Sequence, residues 1–189
     1  MKNIKGLIIQ FRLEFIEERL GADAFKKFIH SLSLPTQEIL RSPVLPSSSY
    51  SFSILKEIDE RLPQVIDKPL EPLFREIGAY SAPKIVDRYF YNYVSSREPR
   101  KFLFQYQRLY PILWGFGKVT VEESDQQDHQ FDVSFSYEQD IHKPYCWFMQ
   151  SFLEHAVRFV GALSVTLIER ECDAENGERC WYQIQWSGE

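Results

Sequence analysis

The hydrophobic pattern of this 189-residue chain changes its period once, at Gly115-Phe116-Gly117. Before these residues, apolar side chains recur at the spacing of a helix face; after them, apolar and polar residues alternate as on a half-buried strand. Because the two patterns occupy separate parts of the chain, the sequence predicts an α+β fold, with an antiparallel sheet of about four strands covered by helices on one face. We expect a single domain over 1–189, helical in 1–115 and strand-strand-helix-strand-strand in 116–189.

Glycines, prolines and serines divide the helical part. The apolar positions from Leu7 to Leu20 predict a helix that ends at Gly21, a residue suited to a C-cap. Prolines 35, 43 and 46 predict a connecting stretch, and the serine run 47–49 is expected to cap the next helix. Further helices are predicted over 22–32, 52–62, 73–80, 82–94 and 102–114, with Pro83 as a boundary.

In the second part, alternation predicts strands over 118–123 and 130–137, joined by a polar turn. Pro144 suits the first position of a helix, which is expected to run to about Gly161. Two more strands, 163–171 and 179–186, flank the turn signal Asn176-Gly177.

Composition excludes several classes of protein. A chain with 44% hydrophobic and 15% aromatic residues is neither disordered nor collagen-like. Its net charge of -5 argues against direct nucleic-acid binding, since that needs a basic face. No apolar run approaches the roughly 18 to 20 residues of a membrane span, so we expect a soluble protein. The small basic cluster around Pro99 is interpreted as a solvated helix start; it comprises Arg97, Arg100, Lys101 and Arg108.

The chain contains three cysteines, an odd number and too few for a disulfide scaffold. We expect no signal peptide in residues 1–12, because the apolar run there is only Leu7, Ile8 and Ile9. We therefore expect a reducing, cytoplasmic location.

The three cysteines are predicted to meet at one end of the sheet. Cys146 follows the start of the Pro144 helix, while Cys172 ends one strand and Cys180 begins its partner. Zinc binds thiolates tetrahedrally and accepts a carboxylate or imidazole as a fourth ligand. The alternative is three unrelated cysteines, with Cys146 simply buried in the core. Candidates for the fourth ligand are Asp125, Asp128, His129, Asp132 and His142.

The segment Pro144-Tyr145-Cys146-Trp147-Phe148, with Glu169-Arg170-Glu171-Cys172 and Gly177-Glu178-Arg179-Cys180, resembles the 4-vinyl reductase domain family. It is most similar to the domain of phenol-responsive bacterial transcription activators, with a P-x-C-W opening and an E-C...G-x-R-C hairpin. The motif-bearing resemblance covers about 118–186. More diffusely, the whole chain resembles stand-alone bacterial proteins of unknown function that share a P-V-L-P-S-S segment, here residues 43–48.

This resemblance implies a structural zinc, held by Cys146, Cys172 and Cys180, beside a pocket for aromatic effectors. It also implies a carboxylate ligand upstream of the P-x-C-W helix, for which this sequence offers Asp132 or Asp125. The wider superfamily includes haem-nitric-oxide-binding domains and vesicle-tethering subunits of Golgi transport. We do not expect haem, because no histidine lies in a matching motif; the four are His30, His129, His142 and His155.

The sequence contains no common phosphate, dinucleotide or nucleophile-elbow motif, so no nucleotide cofactor is expected. Aromatic residues of the helical part are mostly core, but they are also candidates to line an apolar pocket. The predicted function is a non-enzymatic sensory module that binds a small apolar or aromatic ligand and acts through a protein partner or homodimer. Alternatives are an assembly subunit with a filled pocket and, less favoured, a reductase-type enzyme. The candidate pocket residues are Tyr89, Tyr93, Tyr106, Tyr110 and Trp114.

Overall fold

The computed structural model describes residues 3–92, 97–125, 127–137 and 140–188. It divides the chain into two compact units. The first comprises Met1–Leu73 with Ile112–Phe116, and the second comprises Phe74–Pro111 with Gly117–Glu189. The expectation of one domain over 1–189 stays a prediction.

The first unit contains a two-stranded antiparallel ribbon of β1 with β2 and a group of helices. The hydroxyl of Ser51 accepts a hydrogen bond from the Ser53 backbone N–H and caps the fourth helix. The cap predicted at Ser47–Ser49 was therefore wrong, because Ser49 pairs with Lys5 in the ribbon instead. A short helix, with Pro35 in its first turn, also lies within the stretch predicted as a connection. The elements are β1 (Asn3–Lys5), α1 (Gly6–Leu20), α2 (Ala22–Ser31), α3 (Leu34–Leu40), β2 (Ser49–Ser51) and α4 (Phe52–Arg61).

The second unit is built on a four-stranded sheet in which all neighbours are antiparallel, in the order β3-β4-β6-β5. Its strands alternate buried and partly exposed residues, so one face is covered and the other is open. This confirms the predicted α+β class. The strands are β3 (Lys118–Glu123), β4 (Gln130–Ser136), β5 (Leu163–Glu171) and β6 (Cys180–Ser187).

Helices α6 (Pro99–Trp114) and α7 (Lys143–Phe159) cover the buried face of this sheet. The ring of Tyr110 on α6 packs edge-on against Phe135 of β4, with centroids 5.4 Å apart. Helix α5 (Leu70–Tyr89) runs unbroken past Pro83, so the boundary predicted there was wrong. None of the described helices is long and apolar enough to span a membrane.

Candidate metal centre

Three elements of the second unit bring the cysteines together. Helix α7 has Pro144 in its first turn, which places Cys146 beside the sheet. Cys172 directly follows β5, and Cys180 is the first residue of β6. The sulfur atoms of Cys146 and Cys180 are 3.5 Å apart, and all three sulfurs lie within 4.8 Å of one another. All three side chains are buried, so the predicted convergence of the cysteines is present in the structure.

The loop between β5 and β6 fixes the position of Cys172. The Cys172 carbonyl accepts hydrogen bonds from the backbone N–H groups of Glu175 and Gly177. Asn176 adopts the left-handed conformation with φ 68°, as expected of an asparagine before glycine. A Cβ atom at Gly177 would lie 2.7 Å from that carbonyl oxygen, so the loop requires glycine. The Asn-Gly turn signal thus corresponds to a compact loop that presents one thiol.

The three thiols differ in their electrostatics. The hydrogen bond with Cys180, together with burial, raises the pKa of Cys146 far above its usual value. The same hydrogen bond lowers the pKa of Cys180, and the Asp173 backbone N–H also donates to that sulfur. Burial raises the pKa of Cys172, although a hydrogen bond from Lys143 opposes the shift. Of the three thiols, Cys180 is thus the one whose pKa is lowered, while the pKa values of Cys146 and Cys172 are raised.

This arrangement fits a zinc ion. Two sulfurs each about 2.3 Å from a tetrahedral zinc lie about 3.8 Å apart. The 3.5 Å between Cys146 and Cys180 is already close to that separation. Buried thiols that face one another are also the donors that zinc prefers. The residues present could therefore hold zinc without a change of fold.

The carboxylate and imidazole groups predicted as fourth ligand do not join the cysteine cluster, as far as the described residues show. Asp132 lies on the open face of the sheet, where its carboxylate accepts a hydrogen bond from Trp181 at 3.0 Å. Cys180 precedes Trp181 and therefore points to the opposite face. Strand alternation thus separates Asp132 from the thiols.

The other candidates lie elsewhere. His129 stacks near Trp186 at the far end of the sheet, whereas Phe135, six residues along, pairs with Cys180. Six strand residues span about 20 Å, which separates His129 from the end of β4 that pairs with Cys180. Asp125 and Asp128 lie in the exposed turn at the same distant end as His129. His142 precedes α7 and packs near the ring of Tyr145.

Among the described residues, Glu169 of β5 is a carboxylate that lies beside one of the three thiols, Cys172, although it does not join the group of all three. It forms a second set with Cys172 and Glu175, whose ligand atoms all lie within 4.8 Å of one another. Glu169 Oε1 is buried and has no hydrogen-bond partner among the described residues. Glu169 is not among the fourth-ligand candidates predicted from the sequence, but a signal existed, because it follows Val165 and Leu167 on the side of β5 that faces the helices.

Lys143, at the start of α7, contacts the same acidic groups. Its Nζ lies 3.0 Å from Glu169 Oε2, 3.2 Å from Cys172 Sγ and 2.8 Å from Glu175 Oε2. Burial alone would lower the pKa of Lys143, but hydrogen bonds to Glu175, Glu169 and Cys172 outweigh it and raise the pKa above its usual value. The lysine is therefore a fixed cation beside the metal centre.

The aromatic candidates for a ligand pocket occupy different environments. Tyr106, Tyr110 and Trp114 are completely buried, whereas Tyr89 is partly exposed. Tyr93 lies outside the described residues.

Within the second unit, Tyr106 packs against Phe135 and Phe152, with ring centroids 6.5 and 5.9 Å away. Tyr110 shares hydrogen bonds with the hydroxyls of Tyr137 and Tyr145, and burial raises its pKa. These rings and hydroxyls form a dense aromatic interior next to the cysteines.

Comparison with known proteins identifies the fold. No protein-family model and no curated protein matches the sequence. An H-NOX protein from S. oneidensis in the Fe(II)NO state matches with TM-score 0.74 at 12% identity, over 97% of this chain and 99% of that chain. An oxygen-binding H-NOX domain related to soluble guanylate cyclases matches with TM-score 0.73 at 14% identity, over 97% and 95%. This chain has the H-NOX fold.

A third H-NOX structure, the Fe(II) unliganded protein from K. algicida, matches with TM-score 0.71 at 15% identity, over 98% of this chain and 97% of that chain. Identities of 12 to 15% establish this fold and no finer assignment.

Haem does not fit the histidines of this chain. None of its four histidines is buried as an axial ligand in an apolar pocket would be. His30 is exposed, and His155 uses its Nδ1 in a 2.8 Å hydrogen bond with the Ser151 carbonyl.

Proposed function

We propose that this chain is a ligand-binding sensory module of the H-NOX fold, stabilised by a structural zinc ion. The convergence of Cys146, Cys172 and Cys180 carries the proposal, because three buried thiols within 4.8 Å of one another form most of a zinc site. The motifs shared with the 4-vinyl reductase domain family support the same assignment.

Glu169 is the fourth ligand in this proposal. Within the described part of the chain, its Oε1 is buried without a hydrogen-bond partner, which is costly for an oxygen unless a cation or hydrogen-bond donor faces it. Zinc, when bound, would supply four strong bonds that join the start of α7 to the β5–β6 hairpin. Cys146 is the helix ligand, while Glu169, Cys172 and Cys180 are the hairpin ligands.

A zinc ion with four protein ligands has no open position at which to activate water or substrate. We therefore propose a non-catalytic role, with a reductase-type enzyme as the weaker alternative. Cysteines that bind zinc instead of forming disulfides also favour a reducing compartment such as the cytoplasm.

For the sensory part, we propose a small apolar or aromatic ligand. The H-NOX neighbours support this by their fold, since one is described as an oxygen complex and another as an Fe(II)NO state. Output would pass through a protein partner or a homodimer. Direct contact with nucleic acid is disfavoured by the net charge of -5.

The second candidate function is an assembly subunit whose interior is filled by its own side chains. The packing of Tyr106 and Tyr110 favours it, because their rings contact Phe135 and their hydroxyls are buried. Phenol, toluene and indole distinguish the two functions. A ligand at 100 times its Kd stabilises a sensor by about 2.7 kcal/mol. An unchanged melting temperature with all three probes favours the assembly subunit.

The zinc proposal is tested by metal analysis of protein purified under reducing conditions without a metal-affinity tag. We expect one zinc per chain in the wild type and a large loss of zinc in Cys180→Ser. Glu169→Gln is expected to weaken zinc binding, whereas the matched control Glu171→Gln, at a site held by Arg179 and Glu178, is not. Wild-type protein with less than about half an equivalent of zinc would refute the structural-metal proposal.

A further inference from the structure

Lys143 is the charged group that touches both the hairpin carboxylates and one thiol of the metal centre. We propose that Lys143 is the positioning residue of this centre, an inference that rests on the zinc proposal. It holds the Glu169 carboxylate through one oxygen and leaves the other oxygen for the metal.

The geometry of Glu169 supports this division of its two oxygens. Oε2 accepts a hydrogen bond from Lys143 at 3.0 Å, while Oε1 is buried without a partner in the described part of the chain. A carboxylate on an isolated strand would rotate freely among rotamers. The ammonium removes that freedom, because it is itself anchored by Glu175 at 2.8 Å. Glu169 is therefore oriented before a metal arrives.

Lys143 also contacts a metal-binding atom directly. Its Nζ lies 3.2 Å from Cys172 Sγ, within the range of a hydrogen bond to sulfur. Donors of this kind orient the ligands of metal sites and tune their electron density. The same side chain thus positions two ligands, one carboxylate and one thiolate.

The positive charge of Lys143 also stabilises the zinc-bound site. Three thiolates and one carboxylate carry two more negative charges than one Zn²⁺ neutralises. The ammonium offsets one of these charges in a location where solvent screens poorly, since the Lys143 side chain is only 19% exposed. Two other cationic side chains of the hairpin contact other partners: Arg179 pairs with Glu171, and Arg170 donates a hydrogen bond to Gln183.

A competing interpretation is that Lys143 takes the place of the metal and must be displaced by it. The two interpretations predict opposite signs. If Lys143 is a positioning residue, its removal weakens zinc binding; if it is a competitor, its removal strengthens zinc binding. Loss of an outer-shell partner of a metal ligand weakens binding by about 10- to 100-fold in other metal sites.

The experiment compares zinc affinities of full-length variants by competition with a chromophoric chelator at fixed pH. Lys143→Met is expected to weaken zinc binding by about 10- to 100-fold. Lys143→Arg, which retains charge and donors, is expected to recover most of the affinity. Lys101→Met is the matched control, because Lys101 of α6 pairs with Glu98, the residue before that helix, and the substitution should leave affinity unchanged.

Substitution of cobalt for zinc gives a second readout, the visible spectrum of the bound metal. A lysine that only stabilised the fold would not change this spectrum. The visible bands of Co²⁺ report the number and geometry of its ligands. We expect altered bands in Lys143→Met and wild-type bands in Lys143→Arg and Lys101→Met, at matched cobalt occupancy.

Lys143→Met protein that binds zinc as tightly as wild type, or more tightly, overturns the positioning role while the zinc proposal stands. A wild type that binds no zinc overturns both, and the two failures are therefore distinguishable. If Lys143→Met does not fold, Lys143→Arg and the neighbouring Glu175→Gln decide. The proposal attributes the effect of Lys143 to its charge and hydrogen-bond donors, which arginine retains. It would therefore also be contradicted if Glu175→Gln bound zinc with wild-type affinity while Lys143→Arg lost tenfold or more of its zinc affinity.

Discussion

Asp59 of α4 forms a buried ion pair with Arg12 of α1 in the first unit. Its Oδ1 lies 2.7 Å from Arg12 Nε, and both side chains are at most 1% exposed. Removing one partner leaves a buried charge, which typically costs about 3–5 kcal/mol. We therefore expect Asp59→Ala to lower the free energy of unfolding by about that amount in urea denaturation.

The matched control for this pair is exposed. Lys56 and Glu60, also on α4, are 4.0 Å apart with more than half of each side chain accessible. Lys56→Met is expected to change the free energy of unfolding by about 0.5 kcal/mol or less. Equal effects of Asp59→Ala and Lys56→Met would show that the buried pair does not stabilise the unit.

The convergence of the three cysteines was predicted from the sequence, whereas Glu169, the proposed fourth ligand, was not. The cysteines were identified by their positions at a helix start and beside a turn, features that local sequence reveals. Asp132 and Glu169 both lie on strands, and only the strand register decides which one faces the thiols. A shift by one residue exchanges the two faces of a strand, so proximity in sequence misled the prediction.

At the scale of elements, the close approach of α5 and α7 depends on Gly78. A Cβ atom there would lie 2.5 Å from the Phe148 carbonyl oxygen and 2.8 Å from the Phe152 backbone nitrogen. Alanine favours a helix by about 1 kcal/mol over glycine. Despite this, we expect Gly78→Ala to destabilise the protein by about 1–3 kcal/mol, because backbone atoms cannot rotate away.

Thermal and urea unfolding measure this effect. Ala79→Ser, at the next and less buried position of α5, is the control and should be nearly neutral. A Gly78→Ala variant more stable than wild type would show that the helices separate without cost.

The element predictions succeeded where periodicity and turns agree. Alternation placed β3 and β4, the Asn176-Gly177 turn signal placed β5 and β6, and Pro144 marked the start of α7. Pro83 misled the prediction, because tertiary packing tolerates a proline inside α5. The β1–β2 ribbon was missed, since strands of three residues carry too little pattern to recognise.

For the whole molecule, zinc removal should affect the second unit selectively. Chelation is expected to raise hydrogen exchange in the β5–β6 loop and the first turn of α7, which the metal would join. Amides of α1 and α4 in the first unit should keep their protection. Hydrogen exchange with mass spectrometry measures this, with Cys180→Ser as the metal-free reference. Equal loss of protection in both units would contradict a local role for zinc.

The fold class was predictable from the sequence because the change of hydrophobic period separates helices from strands. The ligand was not predictable, because the interior aromatic residues that pack a core are also those that line an apolar pocket. Structural similarity to H-NOX proteins at 12 to 15% identity shows that chains with mostly different side chains adopt this fold.

We propose that three thiols and one carboxylate hold zinc. X-ray absorption at the zinc edge of the natively purified protein measures the number, type and distance of these ligands. The proposed site predicts three sulfur neighbours at about 2.3 Å and one oxygen at about 2.0–2.2 Å. A first shell made of oxygen and nitrogen alone would contradict it, because such zinc would be bound elsewhere than at Cys146, Cys172 and Cys180.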